Sequence, residues 1–153
     1  MITFLKAEEQ HQHSNGGGWV ANTAVVAASA YIGPDAWVSD NAQVCDNAWV
    51  CGDAQVYGDA CVCSHALVYS TAQVYGDAQV YVNARVYGDA QVYGNARVYG
   101  DAQVYGNAQV CDNAWVCGDA RVYGDARVCD HARVYGQYAG APYSGPVAAQ
   151  EKI

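Results

Sequence analysis

Aliphatic residues recur along this chain at a fixed spacing of six. Val or Ile occupies positions 20, 26, 32, 38 and every sixth position to Val134, giving twenty hexapeptides without insertion or deletion. Ile32 is the one departure from Val, and Ala stands two residues before each aliphatic from Ala24 to Ala132. The residue after the aliphatic is usually Tyr or Cys, followed by a polar or Gly-containing pair, as in Val92-Tyr93-Gly94-Asn95-Ala96. Alternation with period two puts Ala and Val on one side of a short strand, and their neighbours on the other. Gly-Asp and Gly-Asn supply the positive φ that a sharp corner needs. Each hexapeptide therefore predicts one strand and one corner. Six residues leave no room for a hairpin, so the strands must coil and stack in parallel.

Composition narrows the picture further. The chain of 153 residues has 27 Ala and 22 Val, but only two Leu, three Ile, one Met and one Phe. Close packing of a conventional core uses larger and more varied side chains. Abundant Val and 16 Gly also disfavour a helical bundle. The core these residues can build is thin, uniform and made of Val and Ala.

Val at i with Ala at i+4 resembles the hexapeptide repeat of the left-handed β-helix superfamily (trimeric LpxA-like). The Val-Tyr-Gly-Asp/Asn-Ala variety is most similar to the YdcK-type β-solenoid repeat. The resemblance covers about residues 19–136, and Tyr or Cys after the aliphatic departs from the small residue common in the superfamily. It implies an all-β, single-domain left-handed parallel β-helix of nearly seven triangular 18-residue coils. At roughly 4.8 Å per coil, the prism would be about 32 Å long. Residues 1–18 are expected to cap it, with Ile2, Phe4 and Leu5 covering the first coil, and residues 137–153 to form an irregular tail.

With 18 residues per coil, outward residues fall into columns. A first face stacks Gln55, Gln73, Gln91 and Gln109 beside Tyr57, Tyr75 and Tyr93. A second mixes Cys45, Cys61, Cys63, Arg97, Trp115 and Arg133, and a third stacks Tyr69, Tyr87, Tyr105 and Tyr123. At the corners, Asn between Asp residues would relieve repulsion within a column.

The superfamily implies two chemistries, acyl transfer with a catalytic His at a subunit cleft and zinc-dependent hydration with three converging His. This chain has no inserted loop. His65 and His131 take the place of corner Asp or Asn and lie 66 residues apart, hence at different corners. No catalytic residue and no cofactor site is assigned. Cys45, Cys61, Cys63 and His65 form one group of soft ligands, and Cys111, Cys129 and His131 another. Cys51 and Cys117 occupy the same slot with no His nearby, which favours simple replacement of Tyr, so no metal site is assigned. Disulfides between stacked Cys are not expected, because in-register parallel strands rarely offer the torsion.

Charge bears on partners. The formal net charge is −8, which argues against nucleic acid or anionic membrane as a ligand. Residues 20–84 hold six Asp and no Lys or Arg, so an acidic decoy for a nucleic-acid-binding protein is one alternative, and an acyltransferase-like enzyme at a trimer cleft is another. No apolar run reaches the length of a membrane span, and seven Cys cannot all pair, which points to the cytoplasm. The reading that fits best is a non-enzymatic interaction or structural protein. Its uncharged face of Gln55, Tyr57, Gln73, Tyr75, Gln91, Tyr93 and Gln109 would mediate self-association, as a trimer or next a dimer, or hold a protein partner.

Overall fold

A computed structural model describes residues 9–135, together with the backbone of the strands Gln137–Ala139 and Pro142–Ser144. Ile2, Phe4 and Leu5 lie outside the described residues. The chain folds as an all-β parallel solenoid with three sheets, and every third strand joins the same sheet. Between Trp19 and Tyr135 it completes about six full turns and part of a seventh.

Strand pairs show the 18-residue register directly. Gln73 faces Gln55 on one side and Gln91 on the other, and Val74 faces Val56 and Val92. Backbone bonds run from coil to coil at matched positions of each repeat: Gln55 N–H donates to Ala72 at 3.0 Å, Tyr57 to Val74 at 3.0 Å and Asp59 to Gly76 at 2.9 Å. The inward side chains are those the alternation predicts. The inward Ala and Val of the repeat from Ala36 to Ala132 are fully buried, and so is Ile32. Identical side chains thus fill identical layers, which is how so small a set of residues reaches close packing.

Corners take two forms. At nine of them, among the described residues, Gly holds the left-handed conformation, as Gly94 does at φ +67°. A Cβ on Gly94 would come within 2.8 Å of the Asp112 backbone nitrogen in the next coil. At seven corners a residue with a Cβ occupies this conformation: Asp40, Asp46, Ser64, Ser70, Val82, Asp112 and Asp130. Three of the aspartates use their side chains there. Gly58 N–H donates to Asp40 Oδ2 at 3.0 Å, Ser64 N–H to Asp46 Oδ2 at 3.2 Å and Asp130 N–H to Asp112 Oδ2 at 3.3 Å. Val82 has no such compensation and is 41% exposed.

The second corner position carries the Asn and Asp columns. Asn83 donates to Asp101 at 3.1 Å and Asn107 to Asp125 at 3.3 Å, so Asn supplies a hydrogen bond where two carboxylates would repel.

The ends differ from the body. Gln10–Gln12 pairs antiparallel with Trp19–Ala21 and covers the first edge of the Gln-bearing sheet. His13, behind that strand, is buried, with Nε2 2.9 Å from the Ala30 carbonyl oxygen. The segment expected to be irregular after residue 136 contains two strands. Gln137–Ala139 continues one sheet with Tyr138 opposite Val122, and Pro142–Ser144 another with Tyr143 opposite Val128. The strict six-residue spacing ends at Val134, yet two of the ladders extend past it.

Candidate functional site

All seven residues proposed for the first face are half-buried and lie on the nine-stranded sheet. Tyr57 stacks on Tyr75 with ring centroids 4.9 Å apart and planes within 1°, and Tyr75 on Tyr93 at 5.0 Å and 5°. Strand spacing sets that distance, because one ring follows another at each coil. The phenols reach sideways. Tyr57 donates to Gln73 Oε1 at 3.5 Å, Tyr75 to Gln91 at 3.4 Å and Tyr93 to Gln109 at 3.4 Å. These bonds are long, so they align the side chains more than they bind them. Among the described residues the Gln amide N–H groups have no acceptor within the chain. Burial raises the Tyr57 and Tyr75 phenols above their ordinary range.

The third face repeats the device. Tyr69, Tyr87, Tyr105 and Tyr123 stack at 4.8, 4.9 and 5.4 Å, and Tyr31 lies against Trp49 at 4.6 Å. Here the residues before Val include Arg85 and Arg121, so this face is not free of charge.

The second face separates into an aromatic–cationic part and a thiol part. Arg97 and Arg133 sit on either side of Trp115 in the column, 5.2 and 4.5 Å from its ring centroid. Asn95, Asn113 and His131 flank this stack and complete a shallow groove of about 390 Å³. His131 therefore lies beside Arg133 and not with Cys111 and Cys129. At this end of the face, burial and a hydrogen bond with Cys117 push the Tyr99 phenol up to about 12.

Towards the N-terminus, Cys45, Cys61 and Cys63 bring their Sγ atoms within 4.8 Å of one another. Cys61 and Cys63 project from one strand, and Cys45 lies one coil below Cys63 in register. The Cys45 thiol donates to the Val62 carbonyl at 3.9 Å. Its burial, aided by the neighbouring Cys63, pushes it up to about 11, and burial raises Cys61 and Cys63 as well. His65, grouped with these thiols on sequence grounds, is exposed at the corner and outside the cluster.

One sequence expectation is overturned. Cys111 and Cys129 form a disulfide, with Cα atoms 4.6 Å apart. Both fall in the slot after Val on the first face, so strand pairing itself holds them at bridging separation. The bonded sulfurs are then not available as thiolate ligands.

The histidines lie apart: His65 and His131 are exposed at different corners, His13 is buried against the Ala30 carbonyl and His11 bonds Asn22 at 2.8 Å. Four stretches of the chain, 42–58, 90–106, 102–118 and 108–124, match the YdcK Beta solenoid repeat family model. They lie in the regular body of the prism, so what the chain shares with that family is the repeat and its fold. No curated protein and no solved structure matches the chain.

Proposed function

We propose that this protein is a non-enzymatic β-solenoid that self-associates, or holds a protein partner, through its Gln/Tyr face. The observation that carries the reading is the uninterrupted uncharged column from Gln55 to Gln109 beside Tyr57, Tyr75 and Tyr93. Aromatic surface that is rigid and already ordered loses little entropy on docking, and such side chains are enriched in interfaces. Repetition matters equally. Every coil presents the same contact, so small energies add along the prism.

A left-handed, LpxA-like prism belongs to the same reading, with three parallel chains placing equivalent columns together in a closed ring. Among the described residues no helix is long and apolar enough to cross a membrane. A cytoplasmic site of action is part of the proposal, and the Cys111–Cys129 bond is then the element most open to reduction.

Light scattering at micromolar concentration tests this reading. The expected mass is three times the 16.3 kDa chain, falling to one chain in a Tyr75→Glu/Tyr93→Glu variant. A monomeric wild type, or an unchanged mass in the double variant, removes this face as the interface.

A further inference from the structure

Seven Cys lie in the chain, and six follow the repeat's aliphatic residue. Cys61 alone precedes it, in a column where the coils on either side carry Gln43 and Gln79. That single exception completes the only group of three thiols among the described residues. We propose that Cys45, Cys61 and Cys63 bind a soft, three-coordinate metal ion of the copper(I) class.

Geometry supplies the first argument. Cys61 and Cys63 are two apart on one strand, so both project outward, and the ladder sets Cys45 beside Cys63 at one strand spacing. A metal–sulfur bond of about 2.3 Å in a trigonal plane requires sulfurs roughly 4 Å apart. The three Sγ atoms lie within 4.8 Å of one another before any ion draws them in. All three residues are half-buried on a rigid sheet, which limits both solvent competition and the cost of ordering the ligands.

The donor set selects the ion. Thiolates without imidazole favour copper(I) or zinc(II), and structural zinc almost always takes four ligands. The one carboxylate whose charge bears on all three thiols is Asp46, and its Oδ2 already accepts the Ser64 N–H at 3.2 Å. His65 is exposed and apart. Three sulfurs are what the fold offers, which suits a three-coordinate ion. On binding, each S–H bond is replaced by a sulfur–metal bond and its proton passes to solvent; the ion arrives as copper(I), and no electron is transferred.

The test is anaerobic titration of the reduced full chain with copper(I), in competition with a chromophoric copper(I) chelator. A Cys111→Ser/Cys129→Ser background keeps the reduced bridge from contributing ligands. One ion per chain should be retained, with near-ultraviolet thiolate absorption, and Cys61→Ser or Cys63→Ser should weaken binding by at least about tenfold. Cys51→Ser, outside the triad, should leave it unchanged. Cys61→Gln restores the residue of the neighbouring coils, so its loss of binding cannot be laid to misfolding if circular dichroism is unaltered. Equal copper retention by Cys61→Gln and the parent overturns the site. A parallel titration that finds zinc(II) held at one equivalent in preference to copper(I) overturns the choice of ion.

Discussion

Two kinds of corner turn this prism, and they solve the same steric problem by different chemistry. Gly94 reaches φ +67° because it lacks a Cβ, while Asp46 reaches φ +56° despite having one. The left-handed conformation costs a residue with a Cβ roughly 1–2 kcal/mol. Asp46 offsets much of that cost by accepting the Ser64 N–H of the next coil, an exposed bond worth about 1 kcal/mol. A glycine corner has no side chain to offer that N–H. The aspartate corner therefore adds a side-chain link between adjacent coils to the backbone bonds that both kinds of corner make. Val82, at φ +64°, has neither advantage.

The largest test of this contrast is at Gly94. Gly94→Ala introduces a Cβ against the Asp112 backbone and should cost about 2 kcal/mol in chemical denaturation. Gly94→Asp brings the same Cβ together with an acceptor for the Asp112 N–H, so it should cost less than half as much. Equal losses for the two variants would show that the carboxylate does not repair a corner. At Asp46 the order should invert. Asp46→Ala keeps the strain and loses the hydrogen bond, for a loss of about 1–2 kcal/mol, while Asp46→Gly loses both and should stay within about 0.5 kcal/mol of the parent. Smallest is the gain from Val82→Gly, about 1 kcal/mol of added stability, read as a rise in Tm. A fall in Tm there would mean that Val82 makes apolar contacts worth more than its backbone strain.

Much of this architecture is legible in the sequence because a single rule acts at every coil. Ala and Val at fixed spacing mark the interior from Ala36 to Val134, and an 18-residue coil, taken from the family resemblance, places Gln55 under Gln73 and Tyr57 under Tyr75 without further information. What escapes is whatever depends on angle and not on position. Asp40 and Asp46 look like ordinary polar corner residues, and nothing in their identity announces a carboxylate aimed at the next coil's backbone. The Cys111–Cys129 bond rests on a side-chain torsion that column arithmetic does not contain. The thiol triad was half legible: stacking puts Cys45 near Cys63, but only the side-chain directions separate His65 from the group. His13 could not have been placed at all, since it lies before the repeat begins and is buried by the antiparallel strand's return.

The three-strand coil gives the chain an indexing property. A whole inserted coil of 18 residues would lengthen the prism and leave every column aligned. An insertion of a single hexapeptide would be just as compatible with the Ala/Val interior, yet it would advance everything downstream by one third of a turn. Placed between Cys45 and Cys61, it would set Cys45 beneath an unrelated face; placed between Gln73 and Gln91, it would cut the polar ladder in two. The Ala/Val interior hardly registers such a change, because each layer still meets a layer like itself. Surface patterns on this protein are thus addressed by residue count modulo 18, and a duplication of six can erase a site without disturbing the fold that carries it.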